Sequence, residues 1–280
     1  MSEKFFNNRF LTLCLIPFVL GLFTTLSFPP FNLTFINLIV LPFIFYLIVF
    51  INKKSKSIYR KKPYRKNLFT FGMAFGFGFY ICGVSWITNS LTFDDNFKVF
   101  IPFAFILIPL FLSLFLGITT MFIGPYLKMN FPSLLLFSSG LAFSDYVRSI
   151  ILTGFPWNLW AYSTTSINEI LQIVNHIGLY SYNLLVITFF TIPVIIFFRI
   201  GKVKKLFFIM LSLFIIFSFY IYGNYIINKN KKFLENFNET TNIKIISPNF
   251  DLEYGLSTVE IENRFKKLIR YSNPNKDKNT

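Results

Sequence analysis

Long apolar blocks separated by short polar interruptions run through most of this 280-residue chain. Within a block, neither the two-residue alternation of a half-buried strand nor the one-faced period of a surface helix prevails. Blocks of roughly 18 or more apolar residues are long enough to cross a lipid hydrocarbon core as helices. Seven spans are expected, at about residues 10–26, 33–51, 68–91, 99–123, 131–152, 179–198 and 206–226. Some interruptions carry residues that end helices: Pro29 and Pro30 follow the first span, and Pro125 opens the turn that reaches Asn130. Proline lacks the backbone donor that a helix interior uses. The pattern predicts an α-helical polytopic membrane protein with about seven transmembrane helices, forming a first domain over residues 1–228.

Smaller features refine this outline. Gly72 and Gly76, four apart in the third span, let a neighbouring helix come close. Ser166 and Glu169 have the spacing of a capping box. After them, Ile170, Ile173, Val174 and Ile177 share a face opposite Asn168, Gln172, Asn175 and His176. This predicts a short amphipathic helix on the membrane surface, ended by Gly178.

From residue 229 the chain turns polar. Ile243-Lys244-Ile245-Ile246 alternates weakly, as a strand does, before Ser247-Pro248-Asn249-Phe250. Ser257 and Glu260 make a second capping-box pair, opening a helix with Val259, Ile261, Phe265, Leu268 and Ile269 that ends near Tyr271. One strand and one helix cannot enclose a core. Residues 229–280 therefore read as the incomplete start of a second domain, closing on a polar tail from Asn273 to Thr280.

Composition agrees: 54% of residues are hydrophobic, 41 are Phe, and only 14% are charged. The net charge of +15 does not point to nucleic acid, because the basic residues collect between apolar blocks. With the N-terminus in the cytoplasm, the cytoplasmic segments hold Lys4, Arg9, the basic run from Lys53 to Lys66, Lys128, Arg199, Lys202, Lys204 and Lys205. The short opposite loops hold only Lys98. That asymmetry sets the expected orientation and puts the C-terminal segment outside. Leu11-Thr12-Leu13-Cys14 resembles a lipoprotein box, but bulky Leu13 stands where a small residue is needed, so the first span is expected to remain uncleaved. Cys14 and Cys82 both lie in apolar blocks and provide neither a disulfide framework nor metal-ligand spacing. They read as free buried thiols acting as small hydrophobes; no cofactor or metal is expected.

The candidate chemistry centres on Thr153-Gly154-Phe155-Pro156-Trp157-Asn158-Leu159-Trp160-Ala161-Tyr162-Ser163. Gly154 and Pro156 disfavour helix here, and the aromatic residues suit a lipid–water boundary. An aromatic belt at a helix end is the plain reading. Asp145 and Arg148 are three apart on one helix face. They are expected either to pair and steady the fifth span or to leave Arg148 for a phospholipid phosphate. Glu169 is accounted for by its cap position, and His176, the only histidine, reads as a boundary residue.

Several of these motifs together resemble the bacterial apolipoprotein N-acyltransferases. They are Phe28-x-Pro30-Phe31-Asn32, the glycine-rich third span ending in Trp86-Ile87-Thr88-Asn89, Ser144-Asp145-Tyr146-x-Arg148, Gly154-Phe155-Pro156-Trp157-Asn158 and Ile177-Gly178-Leu179-Tyr180. Ile245-Ile246-Ser247-Pro248-Asn249-Phe250 looks like the first strand of that family's α/β nitrilase-like (carbon–nitrogen hydrolase) domain, with Ser247 where the family usually has Gln. The resemblance implies an enzyme of the bacterial inner membrane with its active site on the periplasmic face. It implies transfer of an acyl chain from a phospholipid to the α-amino group of diacylglyceryl-cysteine in lipoproteins, and with it a cavity for acyl chains walled by Phe155, Pro156, Trp157 and Tyr162. The chemistry would run through a thioester on a Cys assisted by Glu and Lys. By the family's order those three residues would lie beyond Thr280, so the chain is expected to be inactive alone, as a fragment or as half of a split enzyme. The alternatives are a non-catalytic membrane scaffold or lipid-binding protein and, less favoured, a transporter. The spans carry few charges and no paired broken helices of the kind transport sites use.

Overall fold

A computed structural model describes residues 8–58, 64–151, 154–235, 245–250 and 255–272. Lys4, Thr153, Ile243, Lys244 and the polar tail lie outside the described residues. Among the described residues the protein is helical and no strand occurs.

A first apolar helix, α1 (Leu11–Thr25), opens with a widened π turn over Leu11–Leu15. It is followed by α2 (Asn37–Ile58), α3 (Tyr64–Gly83), α4 (Ile101–Ile123) and α5 (Phe131–Ile150). Two four-residue helices, α6 (Asn168–Leu171) and α7 (Val174–Ile177), precede α8 (Leu179–Thr191), α9 (Lys202–Glu235) and α10 (Thr258–Ser272). α3 packs between α1 and α4; α5 packs on α4 and α8, and α2 on α3 and α8.

Close packing of α3 is written in its glycines. A Cβ on Gly72 would sit 2.1 Å from Thr120 Oγ1 and one on Gly76 2.9 Å from Ser113 Cα, both on α4. On its other side, a Cβ on Gly78 would meet the Phe18 carbonyl oxygen at 2.1 Å. The missing side chains bring the backbones together. Thr120 uses that proximity to donate to the Leu68 carbonyl at 2.8 Å.

Among the described residues, four helical segments are long and apolar enough to cross a membrane: Thr34–Lys54, Asp95–Tyr126, Leu179–Phe197 and Lys202–Glu235. A fifth is added if Tyr64–Gly83 and Ser85–Thr92, bent by 47°, count as one. This is a helical membrane protein, with fewer qualifying segments than the seven expected, and both differences have a chemical reason. α1 is short, and α5, though 20 residues long, carries Asp145, Arg148 and a series of serines in its sequence.

α9 runs 34 residues, to Glu235. Two other expectations change. Ile245 to Phe250 has no regular structure; a strand needs a ladder partner, and none occurs among the described residues. The expected amphipathic helix is two separate turns. Ile167 occupies the N-cap position of α6 without a side-chain bond, so Ser166 makes no capping box and Glu169 loses that explanation. Gln172 and Ile173 donate to Glu169 and Ile170, tightening the chain where a continuous helix would bond four residues back. At α10 the second cap does form, Ser257 Oγ accepting from Glu260 N at 3.2 Å.

Candidate functional site

The 154–163 stretch is positioned by the ends of α5 and α8. α5 starts cleanly because Asn130 caps it, accepting from Ser133 N at 3.0 Å. It ends where Phe155 N donates back to the Arg148 carbonyl at 3.1 Å. Gly154 makes that reversal at φ +77°, and a Cβ there would lie 2.4 Å from the Ser149 carbonyl oxygen. A side chain is thus excluded twice, by backbone conformation and by space.

A buried polar clamp holds the stretch. Arg148 Nη1 donates to the carbonyl oxygens of Phe155 (2.7 Å) and Trp157 (2.6 Å), while Nη2 donates to Asp145 Oδ1 at 3.0 Å. Asn183 on α8 donates through Nδ2 to Asp145 Oδ2 (2.9 Å), and its Oδ1 accepts from Ala161 N (2.8 Å). Asp145 and Arg148 are each 2% exposed. The guanidinium also lies 5.4 Å from the centre of the Tyr80 ring. A buried ion pair persists when further hydrogen bonds satisfy its remaining atoms, and here loop carbonyls and an amide do so. Arg148 Nε alone is left without a hydrogen-bond partner among the described residues.

The clamp divides the aromatic residues into two groups. Trp160 is 1% exposed and stacks on Phe79 at 5.6 Å, fixing the stretch to α3. Trp157 is 51% exposed and meets the exposed Trp86 edge-on at 5.5 Å. Phe155 is half-buried over a cavity of about 170 Å³ lined by Ile108, Phe111, Leu112 and Phe115 of α4 with Arg148, Ile151 and Gly154. Pro156 is exposed and Tyr162 half-buried. Burial, with the neighbouring Tyr180 phenol, holds the Tyr162 hydroxyl above its ordinary pKa, so it stays protonated at neutral pH. Thr34 ties the entry to α2 into the same end of the bundle, donating to the Ser163 carbonyl at 2.6 Å.

Residues 20–192 match the family model described as the apolipoprotein N-acyltransferase N-terminal domain. The chain belongs to the apolipoprotein N-acyltransferase family. Similar relatives, each named apolipoprotein N-acyltransferase, occur in Brucella melitensis, Brucella suis and Rhizobium rhizogenes. The first is 32% identical over 187 residues, 65% of this chain and 34% of that relative. The second is 30% identical over 185 residues, 65% of this chain and 34% of the relative. The third is 29% identical over 161 residues, 57% of this chain and 30% of the relative. The match thus spans about a third of each relative's length.

Within this apolipoprotein N-acyltransferase family domain, the structure brings Asp145, Arg148, Phe155 and Trp157 together. Arg148 spends its Nη1 and Nη2 donors on protein partners and is 2% exposed. His176 lies apart, its Nε2 hydrogen-bonded to the Tyr222 hydroxyl on α9. Glu169 lies against α9 too, where a Cβ on Gly223 would strike its carbonyl oxygen. Cys14 packs partly buried against the core, whereas Cys82, expected to be buried, is exposed near the end of α3. No cluster of three His, Cys, Asp or Glu side chains that could hold a metal occurs among the described residues. Sequence reasoning missed Asn183 and Tyr80. Asn183 had a signal: it is the one carboxamide in the apolar run of α8, and a buried amide in such a run requires a partner.

Proposed function

We propose that the chain forms the membrane platform of an acyltransferase that moves an acyl chain from a phospholipid to the amino group of diacylglyceryl-cysteine at a lipoprotein N-terminus. The reaction is a step of lipoprotein maturation in the bacterial inner membrane. The observation that carries this reading is the family match over residues 20–192. The clamp supports it by giving the Gly154–Ser163 stretch a fixed backbone at one end of the helices.

In this reading α1 and α5 also cross the bilayer, completing seven spans with the N-terminus cytoplasmic. At 20 residues α5 is about 30 Å long, enough for the hydrocarbon core, and its two charged groups neutralise each other inside the bundle. The 154–163 stretch then faces the periplasm. Phe155, Pro156, Trp157 and Tyr162 form the apolar wall past which acyl chains move. Arg148 acts as a positioning residue that sets this wall. Residues 229–280 lead into a periplasmic nitrilase-like domain, with the exposed Val259, Ile261, Phe265 and Ile269 of α10 supplying its buried side. The acyl-accepting thiol is neither Cys14, packed in the core, nor Cys82, on a transmembrane helix.

The test is a chimera of the Brucella melitensis relative with this chain in place of its matched region. It is assayed by the mass gain of a diacylated lipopeptide incubated with phospholipid. Transfer is expected from the chimera and none from the 280-residue chain by itself. A chimera that inserts in the membrane without transferring, or turnover by the chain alone, would contradict the reading.

A further inference from the structure

A second cavity, of about 670 Å³, lies at the opposite end of the helices from the clamp. α2 relates the two: Thr34, just before it, bonds Ser163, while Asn52 and Lys53 near its other end line the cavity. From Asn37 to Lys53 is roughly 24 Å of helix. Three cations line this cavity: Lys53 on α2, Lys128 in the turn before α5, and Arg199 after the Ile192–Phe197 helix. All three are exposed, and no ion pair involving them occurs among the described residues. Asn52 is 5% exposed; its Nδ2 donates to the Pro125 carbonyl at 3.1 Å, and its Oδ1 is buried without a hydrogen-bond partner among the described residues. Phe50, Met129 and Phe197 supply an apolar wall beside these polar groups.

We propose that this cavity binds the headgroup of an anionic phospholipid, at the bundle end remote from the acyl-transfer portal. The phosphodiester sits among Lys53, Lys128 and Arg199. An acyl chain continues along the apolar wall. Basic pockets between membrane helices suit such headgroups, because the charge is met at the depth where the lipid phosphate lies. The volume accommodates a headgroup and the start of its chains.

The test is native mass spectrometry of the full chain released from mixed micelles containing dioleoylphosphatidylglycerol, dioleoylphosphatidylcholine or dioleoylphosphatidylmethanol. One phosphatidylglycerol is expected to be retained in preference to phosphatidylcholine. Phosphatidylmethanol, which has the same phosphodiester charge, should be retained as well as phosphatidylglycerol. The triple variant Lys53→Gln, Lys128→Gln, Arg199→Gln should weaken retention by on the order of tenfold. The control Lys66→Gln, Lys202→Gln, Lys204→Gln removes equal charge elsewhere and should leave retention unchanged. Equal losses in the two variants would overturn the site in favour of diffuse charge attraction. Retention of phosphatidylcholine equal to that of phosphatidylglycerol would overturn the anionic headgroup as occupant. Displacement by deacylated glycerophosphoglycerol at the lipid's own concentration would overturn the lipid as occupant.

Discussion

Asn183 reaches across from α8 to Asp145 on α5, its Nδ2 2.9 Å from the carboxylate Oδ2. One amide thereby orients the carboxylate that holds Arg148 and, through its own Oδ1, fixes the backbone of Ala161. Asn183→Asp removes the donor and sets a second carboxylate against the first. It should destabilise the protein more than Asn183→Ala, which costs about 1–3 kcal/mol by stranding buried partners. Thermal unfolding in detergent gives the order of the two variants.

Arg148→Gln leaves Asp145 uncompensated and frees the Phe155 and Trp157 carbonyls. The expected loss is about 3–5 kcal/mol. Arg148→Lys should not restore stability, because one ammonium cannot reproduce the forked contacts to two carbonyls and a carboxylate. Hydrogen exchange of residues 154–163 should rise in both variants ahead of exchange in α3 and α4. Unchanged exchange there would remove the clamp from the account.

The two tryptophans of the stretch should respond oppositely. Trp160→Ala removes a fully buried ring and should cost about 3–5 kcal/mol. Trp157→Ala, at an exposed rim, should cost no more than about 1.5 kcal/mol, the worth of an aromatic pair. In the chimera described above, Trp157→Ala should nevertheless slow acyl transfer. In single-tryptophan variants, brominated lipid should quench Trp157 and leave Trp160 bright.

Gly72→Ala drives a methyl group against Thr120 Oγ1 and the Leu116 carbonyl of α4, and should cost about 1–3 kcal/mol. Gly201→Ala meets nothing within 4 Å and should be neutral or slightly stabilising, by up to about 1 kcal/mol. Paired melting curves of the two variants provide the check.

The sequence was most readable where chemistry was repetitive. Apolar blocks located the helices, and the small residues at Gly72 and Gly76 marked where α3 would be crowded. Asp145 and Arg148 could be placed on one face by spacing alone. What they would bind could not, since the carbonyls of Phe155 and Trp157 come into reach only after Gly154 turns the chain back. Asn183 was hidden for the same reason: its partners lie on α5 and in the stretch before α6. The capping spacing at Ser166 misled because the preceding turn, closed by Ile167 N on the Thr164 carbonyl, carries the chain one residue past the serine before α6 begins. At Ser257 no such turn intervenes, and the same spacing makes the cap.

In the proposed orientation the clamped stretch opens on the outer face and the basic end of the helices stays inside. Single cysteines at positions 157 and 199, in a background with Cys14 and Cys82 replaced by Ser, distinguish this from the reverse. Intact cells are treated with a membrane-impermeant maleimide. Labelling is expected at 157, with protection at 199 until the cells are opened. Labelling at 199 with protection at 157 would reverse the proposed orientation.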